Sequence, residues 1–327
     1  MTLSPPVAFH IASGSICASL ILLRSLYRVL FRCRVHHQSC YRRWRLDDTY
    51  MALALLPLAG RTACISLSFM LNPSETTAPA TAAEAAAQNM LVAQLDVNRI
   101  VSLKLHLPGR IFYALFLWTL KLCLLTFYSR FVSILPRGKI AIKILRWFII
   151  LSFCAVVVTT LVECHPLELV WELQTDPSYP ACRRALANLL TMAICNACTN
   201  VALVVLPFPI LRNTRLSRKA QIQLGFLFGI GAIVVMITIL RLPFILRQPV
   251  SQQARSMWAS IEVLCSCVVA NTAFFYSVVK DSQHQHDDRA HHTSTVQEVN
   301  FYLQSLPSSP GDGRTQLAKQ QATVSTA

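Results

Sequence analysis

Residues 185–211, ALANLLTMAICNACTNVALVVLPFPIL, and residues 221–240, QIQLGFLFGIGAIVVMITIL, hold no Asp, Glu, Lys or Arg. A helix rising about 1.5 Å per residue needs about 20 mostly apolar residues to cross the roughly 30 Å hydrocarbon layer of a bilayer. Both runs meet that length. The rest of the chain has too little polar surface to bury them in water: 54% of the 327 residues are hydrophobic and 14% charged, against about 25% charged in soluble domains. The mean hydropathy is +0.47.

Working outward, five further apolar runs flank these two, giving predicted spans at 7–29, 47–71, 107–128, 146–163, 185–211, 220–242 and 257–279. The expected fold is an all-α membrane protein with seven transmembrane helices. Residues 1–280 form the membrane domain and residues 281–327, rich in Ser, Thr, Gln, Pro and Gly, a disordered cytoplasmic tail. The first run is not a secretory signal, because its basic residues follow the apolar stretch instead of preceding it. The segment APATAAEAAAQ after the second run reads as a loose or partly helical linker.

Lys and Arg in short loops favour the cytoplasmic side. The loops after the first, third and fifth spans hold fourteen of them, including Arg32, Arg42, Arg130, Lys139, Arg146 and Lys219. The opposite loops hold six: Arg99, Lys104, Arg183, Arg184, Arg247 and Arg255. The N-terminus is therefore expected outside and the C-terminus in the cytoplasm. The plasma membrane is expected over an internal one. The net charge of +15 does not call for nucleic acid, because the basic residues are scattered between apolar runs and form no stripe on a soluble fold.

Ionisable residues within a bilayer are expensive and are expected to serve function or helix association. Lys121 lies roughly 20 Å from the outer end of the third span, and Asn196 and Asn200 match it on the fifth. Glu262 lies roughly 8 Å below the outer end of the seventh, near Arg241 and Arg61. Two polar layers are expected: Lys121 with Asn196 and Asn200, and Glu262 with Arg241 or Arg61. Either could be helix–helix glue or a ligand pocket. Glu262 is the one carboxylate well inside a span, which is a poor basis for general acid or metal-diphosphate chemistry, so an enzyme is not expected. No cofactor or structural metal is expected. Retinal needs a lysine midway along the last helix, and there the only lysine is Lys280 at its inner end.

Cys164 and Cys182 flank the outer loop CHPLELVWELQTDPSYPAC. In an oxidising compartment a disulfide between them is expected, removing about 3 kcal/mol of chain entropy; the alternative is two free thiols at helix ends. Cys195-x-x-Cys198 and Cys265-x-Cys267 lie within spans and read as small packing residues. Cys33 and Cys40 are candidates for palmitoylation. Asp47 and Asp48 open the second span, where acids suit the helix dipole; pairing with Arg130 as a cytoplasmic switch is the sharper alternative. His284, His286, His291 and His292 with Asp287 and Asp288 read as solvated tail more than as a metal site. Asn72-Pro73-Ser74 is blocked as a glycosylation sequon by its proline.

In order and spacing, WRLDDTYMALALL, KLCLLTFYSRF with Lys121, Tyr128 and Arg130, the Cys164–Pro166–Trp171–Cys182 loop, NACTNVALVVLP with Pro207, the Gly225 and Gly229 helix closing on Arg241-Leu242, and WASIE at 258–262 resemble the fungal rhodopsin-domain integral membrane proteins. That family includes a satratoxin-cluster protein and pathogenicity-type receptors. The resemblance covers roughly residues 10–280. Here Asn200 stands where the family has Asp, the Gly-x-Gly-x-His after the second helix is replaced by the Ala-rich linker, the late proline of the seventh helix is missing, and the Cys-rich extracellular domain of some receptors is absent. The resemblance implies a receptor-like sensor, with a small-molecule ligand outside near Glu262, Arg241 and Trp171 and a cytoplasmic signalling protein inside. The alternative it implies is an accessory membrane protein of a mycotoxin or other secondary-metabolite cluster, in transport, tolerance or scaffolding.

Overall fold

The computed structural model describes residues 5–33, 46–132, 136–163, 171–173, 186–206, 225, 229, 231–233, 235–240, 252–272, 274 and 275; at 30–33, 130–132, 136, 137 and 186 it describes the backbone alone. All regular structure among them is helical. The helices are α1 (Pro5–Cys33), α2 (Leu46–Leu53), α3 (Leu55–Leu71), α4 (Ala82–Ala87), α5 (Val92–Val132), α6 (Pro136–Val162) and α7 (Leu186–Val205). Two further helical segments, α8 at 231–233 with 235–240 and α9 at 252–272, occupy the sixth and seventh predicted spans.

Among the described residues, five helices are long and apolar enough to cross a membrane: Pro5–Val29, Leu46–Leu71, Val92–Ser129, Gly138–Val162 and Ala187–Val205. Their outer faces are apolar. On α6, Ile140, Ile144, Trp147, Leu151, Val158 and Leu161 are all exposed, and their three-, four- and seven-residue spacing puts them along one side of the helix. Such a stripe would be a liability in water and is the expected surface in lipid. The chain is therefore a multi-pass membrane protein in contact with the bilayer.

The helix limits correct the sequence reading in several places. The third span, expected at 107–128, is part of a 41-residue helix starting at Val92. At about 1.5 Å per residue it is about 60 Å long, twice the hydrocarbon thickness, so it projects well beyond it. Residues 92–106 are too polar to read as a span, yet they are held because Ser68 and Ser102 exchange hydrogen bonds and Ser68 also meets His106 Nδ1 at 2.9 Å. Pro108 lies inside the helix; it cannot donate to the preceding turn. The second span is two helices, α2 and α3, in near-continuous register. Ala54 bridges them with helical φ and ψ, and Pro57, lacking an N–H, leaves the Leu53 carbonyl unbonded by the ladder. The fourth span begins at Pro136 instead of 146, and the seventh is already helical at 252, ahead of the expected 257. The Ala-rich linker contains α4, closed by a capping box between Thr81 and Glu84.

α5 is the hub, packing against α2, α3, α4, α6 and α7. Its Phe116, Leu117, Leu120 and Leu125 are buried in the main core with Met51, Leu58, Ile149 and Val263. Close approach depends on small residues: a Cβ added to Gly60 would lie 2.9 Å from the Phe112 ring, and one on Gly14 would lie 2.7 Å from Thr62 Oγ1.

Candidate functional site

Lys121 on α5 is buried. Its ammonium donates to the Asn196 backbone carbonyl at 3.2 Å, to Asn196 Oδ1 and to Thr199 Oγ1. Three donors thus meet three acceptors, and the charge also sits 4.4 Å from the centre of the Trp118 ring, an added cation–π attraction. The other end of the Asn196 amide donates to Glu262 Oε1. Thr238 of α8 donates to the same oxygen at 3.0 Å, and Tyr113 of α5 donates its hydroxyl to Glu262 Oε2. One amide therefore joins an ammonium and a carboxylate, and α5, α7, α8 and α9 meet on this cluster.

This arrangement joins the two layers that were expected to be separate. Lys121, Asn196 and Glu262 form one cluster, and Thr199, not Asn200, is the second α7 residue on Lys121. The physical reason is the helix starts. Because α9 is already helical at 252, Glu262 lies at least ten residues, about 15 Å, from its end instead of 8 Å. Asn196 lies ten residues into α7, so the two depths match. Asn200 is half-buried one residue further round α7. Arg241 lies outside the described residues.

Above this cluster Arg61, buried on α3, donates to Ser260 Oγ on α9 at 2.8 Å, and His10 Nδ1 of α1 meets the same oxygen at 2.8 Å. The Arg61 guanidinium lies 5.6 Å from the Tyr113 ring centre. Here α3, α5, α6, α7 and α9 line a partly open cavity of about 70 Å³. Arg61, Arg110, Arg255 and Tyr113 line it, with Ile65, Val156 and Met192 among its apolar wall. Tyr113 thus faces the cavity with one part and Glu262 with its hydroxyl. Trp171, expected near a pocket, has the Lys104 ammonium 5.4 Å from its ring centre.

Asp47 and Asp48 sit in the first turn of α2, as expected for acids at a helix N-terminus. Among the described residues their ion-pair partners come from α1. Arg24 Nη2 is 3.0 Å from Asp47 Oδ2 and 3.3 Å from Asp48 Oδ1, and Arg28 Nε is 3.2 Å from Asp48 Oδ2. Arg24 also donates to the Ala270 carbonyl of α9 at 3.2 Å, and both guanidiniums lie under 5 Å from the Phe274 ring centre, at 4.5 and 4.7 Å. Among the described residues two cations and two anions meet in this buried site, where an unpaired charge would be costly. Sequence reasoning missed Arg24 and Arg28. Their signal was present: two arginines four residues apart on one helix face, inside an apolar run.

Outside the spans, burial raises the Glu75 carboxyl above its ordinary value while the backbone N–H groups of Gln252 and Gln253 at the start of α9 hold it down. Glu75 has φ 54°, a left-handed conformation uncommon for a side chain of this size. Glu84 is held below its ordinary 4.5, first by the Thr81 N–H at 3.0 Å and then by Arg99 Nη2 at 3.0 Å. Arg99, counted above as an outer-loop charge, is buried and also donates to the Ala78 carbonyl at 2.7 Å.

Cys195, Cys198, Cys265 and Cys267 are free thiols. The Cys164–Cys182 bridge, Cys40, Pro207 and the tail histidines lie outside the described residues, as do the side chains of Cys33 and Arg130.

A bundle of apolar helices joined by a buried polar cluster defines the class: a multi-pass helical membrane protein. The sequence model of the fungal rhodopsin domain matches residues 31–281. The chain belongs to that family. No curated protein and no solved structure matches it.

Proposed function

We propose that this protein is a receptor-like sensor of a small ligand: a seven-helix receptor in the plasma membrane, N-terminus outside, with no catalysis of its own. The observation that carries the reading is Tyr113, which lines the cavity and bonds Glu262 in the polar cluster. A ligand that moved Tyr113 or Arg61 would act on Glu262 and Ser260, both on α9. From Arg255 at the cavity to Phe274 beneath Arg24 and Arg28 is nineteen residues, about 28 Å along a helix, close to the membrane thickness. α9 is thus the physical link between the cavity and the charged cluster at Asp47 and Asp48. The excess of Lys and Arg in the loops after the first, third and fifth spans supports the orientation and offers a basic face to a cytoplasmic partner.

The test is transcript profiling of a deletion strain carrying the wild-type chain or Glu262→Ala, at matched abundance in the membrane. The wild type restores a response to spent culture medium that Glu262→Ala fails to restore. Equal restoration by both would overturn the sensor reading. So would a deletion that changes only the titre of a secreted metabolite.

A further inference from the structure

We propose that the basic stripe Lys139, Lys143 and Arg146 near the start of α6 is a binding surface for the headgroup of an anionic phospholipid. This goes beyond the sensor reading and does not rest on it. All three residues are exposed. At 3.6 residues per turn they fall within an arc of about 60°, and from first to last they cover about 10 Å of the helix axis. Among the described residues none of the three side chains makes an ion pair or a hydrogen bond.

The helices around the stripe supply no counter-charge. α6 contains no Asp or Glu. α5 and α7, which pack against it, have none over 119–132 and 196–205, their portions toward the same end of the bundle. Asp47 and Asp48 of α2 are engaged by Arg24 and Arg28.

The neighbours of the stripe place it at the membrane surface. Ile140, Ile144 and Trp147 are exposed on the adjoining side of the same turns. From Trp147 to Val162 the helix is uncharged, about 24 Å of its length, and Trp is favoured where hydrocarbon meets headgroups. Lys139 and Lys143 thus lie at headgroup depth, and the long stem of Arg146 reaches the same layer. A lipid whose chains lie against Ile144 and Trp147 carries its phosphate beside these cations. Arg takes a phosphate in two parallel hydrogen bonds, and Lys adds a point charge. Three cations without an acid favour a lipid of net negative charge over a zwitterion, by roughly fivefold for each Lys or Arg. A protein arriving from the water would first have to displace that lipid.

The experiment is fluorescence quenching of Trp147 in the full chain, reconstituted in phosphatidylcholine vesicles. The quenchers are phosphatidylserine or phosphatidylcholine brominated on the acyl chains near the headgroup, present in both leaflets. The difference from Trp147→Phe isolates the Trp147 emission. Brominated phosphatidylserine reaches half-maximal quenching at a mole fraction lower than brominated phosphatidylcholine by roughly fivefold or more. Replacing Lys139, Lys143 and Arg146 together by Gln removes the difference, and Lys139→Arg with Lys143→Arg keeps it. Sodium chloride at about 1 M, where the screening length is about 3 Å, removes most of it. Equal quenching by the two lipids overturns the assignment and leaves the stripe to a cytoplasmic protein. No quenching by either lipid, or a wild-type preference in the triple Gln variant, also overturns it.

Discussion

Lys121 and Glu262 meet on a single side chain, the amide of Asn196, whose oxygen accepts from the ammonium and whose nitrogen donates to the carboxylate. An amide can bridge unlike charges in this way because it carries both an acceptor and donors. The cost of burying each charge is met partly by the other and partly by neutral donors and acceptors from three helices, α5, α7 and α8. Removing one member leaves the rest short of a partner.

Tyr113→Phe removes one donor to Glu262 and little volume. It should lower stability by about 1–3 kcal/mol, the cost of a buried charged group losing a hydrogen bond. Thermal unfolding in detergent checks this, with Tyr128→Phe on the same helix as a comparison.

Arg24→Gln leaves Asp47 and Asp48 short of charge compensation. Breaking a buried pair costs about 3–5 kcal/mol. Adding Asp48→Asn to Arg24→Gln should recover part of the loss, because it restores the balance of charge. If the double variant is less stable than the single, charge balance is not what the cluster supplies.

Gly60→Leu forces atoms into the Phe112 ring, which already lies 2.9 Å from the position of a Cβ. Overpacking of this kind costs about 1–3 kcal/mol. The same substitution at Gly225, where a Cβ meets nothing within 4 Å, should cost less. Folded yield in detergent separates the two.

Glu84 gives a pH dependence. Its carboxyl is held below 4.5 by the Thr81 N–H and Arg99, so its contribution to the α4 turn is fully present above 4.5 and is lost as pH falls through its depressed value. Amide exchange at Ala82–Ala87, corrected for intrinsic rate, should accelerate on acidification in the wild type. In Glu84→Gln it should be fast and insensitive to pH across that range.

The membrane class could be read from residues 185–211 and 221–240 alone, because uncharged runs of that length have few other uses. Lys121, Asn196 and Glu262 were legible for the same reason: polar groups are costly in lipid and stand out. Their pairing was not, because depth was counted from helix ends that sequence places several residues short. Asn200 and Thr199 lie four and three residues beyond Asn196, both on its face by the helical period, and only packing decides that Thr199 is the one that meets Lys121. Tyr113 and Thr238 carry no signal in sequence, being ordinary residues in apolar helices. Arg24 and Arg28 were hidden by the apolar run around them, and their partners, Asp47 and Asp48, already had a sufficient local explanation as acids at a helix start.

The most direct test of the account is a double-mutant cycle between Lys121 and Glu262, measured as thermal stability of Lys121→Met, Glu262→Gln and the pair. Residues in one network couple by about 0.5–3 kcal/mol. The account predicts that the pair is more stable than the sum of the two single losses allows, because each single variant strands one buried charge and the double strands none. Strict additivity would contradict it, showing that the two residues lie in separate sites.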